Sequence, residues 1–142
     1  MKLSVVIPAY NERQTIAACL ARVAAALPDV PKEIIVVDDC SRDGTRDWLE
    51  RNVRDFSAAQ CALVVNADGD LEVQAGPIAN VQIRALFHQQ NQGKGGALQT
   101  GLRAVSGDVV VIQDADLEYD PEDWREMYGL IAEKRVADVV YG

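Results

Sequence analysis

The sequence DVVVIQDADLEYDP, which runs from Asp108 to Pro121, decides the fold. Its apolar run, residues 108–112, is typical of a buried strand, and the carboxylates of Asp114 and Asp116 follow this strand directly. In open α/β sheets, ligands bind outside the carboxyl ends of the strands. Two nearby carboxylates can hold a divalent cation against the phosphates of a substrate. The stretch therefore predicts a phosphate-handling site at the end of a strand.

The composition is that of a globular protein with one domain. Of the 142 residues, 49% are hydrophobic and 25% are charged, which are ordinary fractions for a globular chain. The net charge of −8 argues against nucleic acid as a partner, because binding to a phosphate backbone requires clustered lysines and arginines. No apolar segment reaches the length of a membrane span, and residues 3–7 resemble a strand rather than part of a signal peptide. We therefore expect a cytoplasmic protein.

The cysteines and the single histidine point away from a zinc site. Cys19, Cys40 and Cys61 are odd in number and widely spaced, which favours free thiols in a reducing compartment over a thiolate cluster. His88 has no second histidine to help it bind zinc. We expect His88 to be a packed or surface residue.

Apolar runs and helical spacings alternate along the chain. This alternation predicts an α/β fold with a mainly parallel sheet and right-handed crossovers. The predicted strands are residues 3–9, 33–39, 81–87, 108–112 and 137–141, and the predicted helices are residues 11–27, 41–56, 97–105 and 121–134.

Residues 57–82 interrupt this alternation. Two short strand candidates, residues 62–66 and 71–74, flank Asp68 and Gly69, and an Asp-Gly pair is a strong turn signal. We therefore predict a β-hairpin inserted between the α/β units. Because the last predicted strand stops at the end of the sequence with nothing to cover it, we also predict a domain truncated at its C-terminus.

Four polar segments carry the candidate chemistry. Pro8-Ala9-Tyr10-Asn11-Glu12 ends the first strand, Asp38-Asp39-Cys40-Ser41 ends the second, and the pair Asp114 and Asp116 ends a later strand. The fourth segment, Asn91-Gln92-Gly93-Lys94-Gly95-Gly96, is predicted to be a loop that enters a helix, where backbone N–H groups and a lysine favour an anion. Together the segments predict a cleft for a nucleoside diphosphate.

Each segment also has a simpler interpretation. Asp38-Asp39 could form only a helix cap and turn, and Tyr10 could be a packed aromatic ring rather than a base contact. A calcium-binding loop at Asp114 fails because Tyr119 stands where that loop requires glycine. The glycine-rich segment does not match a Walker loop, because Gly95 stands where that loop requires serine or threonine. It does not match a dinucleotide fingerprint either, because Leu98 stands where the last glycine is required.

Taken in order, these segments resemble the glycosyltransferase family 2 enzymes, whose catalytic domain has the Rossmann-like GT-A nucleotide-sugar fold. The segments that carry the resemblance are residues 4–12, 34–45, 91–97, Gly101, Ala104, Gly107-Asp108 and 114–116 with Pro121. The Asn-x-Gly-Lys-Gly and Asp-Ala-Asp-Leu-Glu sequences are most similar to the dolichyl-phosphate mannose synthase and polyprenyl-phosphate glycosyltransferase branch. The resemblance implies that residues 1–142 are the donor-binding part of such a domain.

The resemblance also implies roles for individual residues. The substrate-binding residues would be Pro8, Ala9, Tyr10, Glu12, Asp39, Lys94 and Asp114, with Asp39 accepting a hydrogen bond from the base and Lys94 near the nucleotide. The catalytic and metal-binding pair would be Asp114 and Asp116, which hold Mg²⁺ or Mn²⁺ against the diphosphate, with Asp116 the more direct ligand. The reaction would transfer a sugar from a nucleoside diphosphate-sugar to an acceptor with inversion, and a lipid phosphate is the candidate acceptor. The full-length protein would then work at the cytoplasmic face of the membrane.

Two other functions stay open at this point. A nucleotidyltransferase shares the sheet and the acidic metal site, but it would carry a glycine-rich, basic loop after the first strand, where this chain has Ala9-Tyr10-Asn11-Glu12. A noncatalytic receiver-like module could be built around Asp38-Asp39. Such a module would also need a phosphoacceptor aspartate at the end of its third strand and a lysine after its fifth strand, and neither is convincingly placed. A homo-oligomer is compatible with either enzyme.

Overall fold

The strands form two sheets in the computed structural model, which describes residues 1–141. The strands are β1 (Leu3–Ala9), β2 (Lys32–Asp38), β3 (Asp55–Ala58), β4 (Cys61–Val65), β5 (Leu71–Ala75), β6 (Val81–Phe87) and β7 (Val109–Ile112). The main sheet has the order β3-β6-β2-β1-β7, and β4 and β5 form a separate antiparallel pair. The structure thus contains the predicted hairpin.

Four neighbouring strands of the main sheet run in the same direction. β1 lies between β2 and β7 and is parallel to both, and β2 is also parallel to β6. Parallel strands have their carboxyl ends at one edge of the sheet, so the polar segments that follow β1, β2, β6 and β7 meet there. This arrangement confirms the predicted α/β fold with a mainly parallel sheet.

Helices cover both faces of the sheet. They are α1 (Ile16–Ala25), α2 (Thr45–Asn52), α3 (Gly93–Ala104) and α4 (Trp124–Tyr128), with a 3₁₀ turn (Pro121–Asp123) before α4 and a π turn (Gly129–Glu133) after it. The larger core packs α1, α2 and α4 against one face, where Leu20, Trp48 and Trp124 are buried. On the other face Ala97 of α3 packs on Ile35 and Val37 of β2. No helix within residues 1–141 combines the length and hydropathy needed to cross a bilayer.

The first predicted helix, residues 11–27, is too long at both ends. Asn11 and Leu27 have φ values of 54° and 49°, which are left-handed and end a right-handed helix. The N–H groups of residues 11–13 bond instead to side chains of the loop after β2 and of Thr45, the first residue of α2, so the chain stays non-helical until Ile16.

The prediction of one helix over residues 41–56 is wrong in its second half. After α2 the chain forms strand β3, in which Phe56 pairs with Ile83 of β6 in an antiparallel register. Val53 and Phe56 have helical spacing relative to Leu49, which suggested a continuous helix. Pairing with the β6 edge takes precedence because it satisfies the backbone and packs Phe56 against the core.

Three further boundaries differ from the prediction. α3 begins at Gly93 rather than at residue 97, so Lys94 lies in the first turn of the helix and not in a loop. The segment 121–134 is helical to Glu133, but it changes from a 3₁₀ to an α and then to a π turn, the last starting at Gly129, a residue with weak helical preference.

Residues 137–141 pair with no strand of the described chain and form no strand themselves, which corrects the predicted last strand. Gly142 lies outside the described residues.

Candidate functional site

A cleft of about 360 Å³ lies at the edge of the sheet where the parallel strands end. Its walls come from four places in the sequence: the end of β1, the end of β2, the start of α3 and the segment after β7. The lining residues are Pro8, Ala9, Tyr10, Glu12, Asp39, Asn91, Gly93, Lys94, Ala97, Asp114, Ala115 and Asp116. All eight site residues predicted from the sequence are among them.

Asp114 and Asp116 occupy one wall of the cleft together with Lys94. The Lys94 ammonium donates to both carboxylate oxygens of Asp114, with Nζ at 2.7 Å from Oδ1 and 2.9 Å from Oδ2. The hydrogen bond with Asp114 raises the pKa of Lys94, so the ammonium stays charged at neutral pH. Asp116 is exposed, and its Oδ1 accepts from the backbone N–H of Glu118 at 3.1 Å, which orients the carboxylate.

Asp39 is held more firmly than the other carboxylates of the cleft. Its Oδ1 accepts from the backbone N–H of Gln92 at 2.7 Å and lies 2.8 Å from Nδ1 of His88. Burial alone would raise the pKa of Asp39, but the hydrogen bonds from Gln92 and His88 outweigh burial and hold this pKa below its ordinary value. Asp39 is therefore ionised at neutral pH although it is only 3% exposed.

The loops after β1 and β2 fix each other through side chain to backbone hydrogen bonds. Asn11 N–H donates to Ser41 Oγ at 2.9 Å and Glu12 N–H donates to Thr45 Oγ1 at 3.0 Å. In return, the Asn11 side-chain oxygen accepts from Arg42 N–H at 2.8 Å. These bonds account for the left-handed φ of Asn11, and they set the backbone from which Tyr10 and Glu12 reach the cleft.

The lining of the cleft is acidic. It contains four carboxylates, from Glu12, Asp39, Asp114 and Asp116, against the single ammonium of Lys94. Such a surface repels a diphosphate unless a cation accompanies it.

No group of three or more His, Cys, Asp or Glu residues within residues 1–141 is arranged to hold a metal ion. Carboxylate oxygens are nevertheless the ligands that Mg²⁺ and Mn²⁺ prefer, and one or two of them suffice when substrate phosphates complete the coordination. Asp114 and Asp116 fit that kind of site.

Sequence reasoning missed several residues that support the cleft. His88 was expected to be packed or at the surface; it is buried, and it bonds both Asp39 and Thr100. Gln92 supplies a backbone N–H to Asp39 across 53 positions of the sequence. These contacts could have been inferred from the pairing of β2 with β6. In a parallel sheet this pairing places the residues after Phe87 beside those after Asp38.

The family model for glycosyl transferase family 2 matches residues 4–56 and 72–142 of the chain. The chain belongs to glycosyl transferase family 2. Residues 57–71, which the match omits, contain the second half of β3, all of β4 and the hairpin turn. The family assignment favours a glycosyltransferase over the nucleotidyltransferase and receiver-like alternatives.

Curated relatives of this family 2 chain transfer sugars to lipid phosphates, according to their names. It is 34% identical over 124 residues to an undecaprenyl-phosphate 4-deoxy-4-formamido-L-arabinose transferase from Serratia proteamaculans, a match that covers 86% of this chain and 31% of the relative. It is 31% identical over 122 residues to a dolichol-phosphate mannosyltransferase from Pyrococcus furiosus, covering 86% of this chain and 28% of the relative. The chain thus spans about a third of the length of these relatives.

Solved structures of glycosyltransferases share the fold. A mannosyltransferase from Pyrobaculum calidifontis in complex with GDP-Man and Mn²⁺ has a TM-score of 0.60 and 27% identity, covering 92% of this family 2 chain and 32% of that protein. Glucosyl-3-phosphoglycerate synthase from Mycobacterium tuberculosis, in complex with Mn²⁺, UDP and glucosyl-3-phosphoglycerate, has a TM-score of 0.58 and 27% identity, covering 93% of this chain and 40% of that protein. The fold is therefore the GT-A fold.

Proposed function

We propose that this chain is the donor-binding part of a metal-dependent, inverting glycosyltransferase that uses a nucleoside diphosphate-sugar and delivers the sugar to a polyprenyl phosphate. The observation that carries the proposal is the cleft, in which the buried carboxylate of Asp39 and the group formed by Lys94, Asp114 and Asp116 line the same space. The names of the relatives support the donor and acceptor classes.

The charges of the cleft support the metal requirement. Four carboxylates and one ammonium would repel a free diphosphate, and Lys94 is already paired with Asp114. Asp114 and Asp116 would hold Mg²⁺ or Mn²⁺, and the cation would neutralise the charge that develops on the departing nucleoside diphosphate. Lys94 adds a positive charge beside the same oxygens. Neighbouring structures that contain Mn²⁺ with a nucleotide support this assignment.

The acceptor chemistry fits direct displacement at the sugar carbon. A phosphate monoester is largely dianionic at neutral pH, so its oxygen can attack without a general base in this part of the chain. Attack on the face opposite the nucleoside diphosphate inverts the anomeric carbon. The residues of the cleft then have to bind and orient the donor and stabilise the leaving group.

Calorimetric titration of UDP, GDP and CDP tests the proposal. We expect at least one of them to bind the wild-type chain with Mn²⁺ present and to lose about 100-fold or more in affinity when EDTA removes the metal, because the cleft is acidic. Asp116→Asn should weaken the Mn²⁺-dependent binding about tenfold or more, since one metal ligand loses its charge.

Asp68→Asn is the matched control for this titration. Asp68 is an exposed carboxylate in the hairpin turn, and its substitution removes the same charge away from the cleft. We expect Asp68→Asn to bind the nucleotide as the wild type does. Binding that needs no metal, or that Asp116→Asn leaves unchanged, would contradict the metal role.

A further inference from the structure

His88 lies behind Asp39 and bonds through both ring nitrogens. Its Nδ1 is 2.8 Å from Asp39 Oδ1 and its Nε2 is 2.8 Å from Thr100 Oγ1. The ring is 7% exposed, and the His88 backbone N–H donates to Asp38 O at 2.9 Å. His88 therefore connects the end of β2 with the middle of α3.

The hydrogen-bonding chemistry of Asp39 and Thr100 determines which nitrogen of the His88 ring carries a proton. An ionised carboxylate can only accept hydrogen bonds, so the 2.8 Å contact with Asp39 requires a proton on Nδ1 of His88. The Thr100 hydroxyl can donate to Nε2, so both ring nitrogens of a neutral His88 are satisfied. A ring that served only to fill space would not need this tautomer.

The contact determines which oxygen of Asp39 a ligand can use. Oδ1 accepts from both His88 and the Gln92 backbone N–H, which leaves Oδ2 as the oxygen available to the cleft. Without His88, the carboxylate would lose a charge-assisted hydrogen bond in a site where it is 3% exposed, and it could rotate or take up water. Thr100 and Lys94 both belong to α3, so one helix bonds both His88, which orients Asp39, and Asp114.

We propose that His88, anchored by Thr100, is a positioning residue that orients the Asp39 carboxylate toward the nucleobase of the donor. The role of Asp39 toward the base rests on the proposed function. The geometry of the His88 contact does not, and it can be tested without any nucleotide.

Nitrogen-15 NMR of the imidazole tests the geometry directly. His88 is the single histidine of the chain, so its ring signals need no assignment. In the ligand-free protein at neutral pH we expect a proton on Nδ1, and we expect Asp39→Ala to shift the population away from that state. An Nδ1 that carries no proton in the wild type would overturn the proposal, whatever the nucleotide does.

A double-mutant cycle tests the link to binding. With Mn²⁺ and the nucleoside diphosphate that binds most tightly, we expect His88→Ala to weaken affinity about 10- to 100-fold, as expected for a buried charged group that loses its partner. His88→Asn keeps an N–H donor facing Asp39 and should recover most of that loss. In an Asp39→Asn background, His88→Ala should cost less than about twofold.

The outcomes of the cycle separate the two roles of His88. Equal losses in both backgrounds, with unchanged thermal stability, would mean that His88 does not act through Asp39 and would overturn the proposal. Failure of every nucleotide to bind the wild type would instead refute the proposed function, and the tautomer measurement would still decide whether His88 orients Asp39.

Discussion

Glu33 lies at the edge of the main sheet opposite the cleft, where the parallel strands begin, and its carboxylate accepts several hydrogen bonds. Its oxygens accept from Ser4 Oγ at 2.6 Å, Ser106 Oγ at 3.0 Å and Lys2 Nζ at 3.2 Å, and its side chain is 4% exposed. Burial alone would raise the pKa of Glu33, but the hydrogen bonds from Ser4, Ser106 and Lys2 outweigh burial and lower it to about 2. Glu33 therefore ties β1, β2 and the segment before β7 together.

Glu33→Gln should lower the free energy of unfolding at neutral pH by about 2–3 kcal/mol, because charge-assisted hydrogen bonds are lost. The pKa of Glu33 is lower in the folded state than its ordinary value of 4.5, so its contribution is complete above that value. The contribution is lost as the pH falls from about 4.5 toward about 2. The difference between wild type and variant should thus shrink with acidification.

Urea unfolding at pH 7 and pH 3 measures this difference. Glu72→Gln, at an exposed position of β5, is the control and should leave stability nearly unchanged at both values. A deficit of Glu33→Gln that is the same at both pH values would show that the carboxylate charge does not stabilise the fold.

Individual site residues could be predicted from sequence, but their partners could not. Asp39 is recognisable because it follows an apolar strand within a known motif. His88, which bonds it, is 49 positions away and belongs to a different segment. Local patterns contain no information about such a contact until the order of the strands is known.

At the scale of the secondary-structure elements, Gly101 sets how closely α3 approaches the sheet. A Cβ at Gly101 would overlap the Val6 side chain and come within 3.4 Å of Val37 Cγ2. We expect Gly101→Ala to lower the free energy of unfolding by about 1–3 kcal/mol through overpacking, even though alanine favours a helix.

Gly95→Ala, in the same helix, is the matched control. Apart from its chain neighbours and the local helix backbone, no atom lies within 4 Å of a Cβ placed at Gly95. The substitution should therefore stabilise the protein by up to about 1 kcal/mol through helix preference alone. Thermal unfolding of both variants measures the contrast; a Gly101→Ala protein as stable as Gly95→Ala would contradict the close packing of α3.

Elements with strong local patterns were predictable, and those that depend on tertiary contacts were not. The predictions for β1 and β6 agree with the structure because apolar runs of strand length are unambiguous there. β3 was missed because Val53 and Phe56 also fit a helical spacing, and the neighbouring β6 edge decides between the two. The predicted strand over residues 137–141 failed because a strand requires a partner, and residues 1–141 supply none there.

At the scale of the whole molecule, the parallel sheet brings the four polar segments together. The sequence motifs lie up to about a hundred positions apart, yet all of them reach one cleft because β1, β2, β6 and β7 point the same way. The family resemblance predicted this grouping.

Paramagnetic broadening of backbone amide NMR signals by Mn²⁺ is the most direct test of a single metal-nucleotide site at the strand ends. With a nucleoside diphosphate present, we expect Mn²⁺ to broaden the signals of Tyr10, Lys94 and residues 114–116 first. The signals of Glu33 and Gly107, near the opposite ends of the strands, should persist at the same Mn²⁺ concentration. Broadening that begins at Glu33 and Gly107, or that is uniform over the protein, would contradict the proposed site.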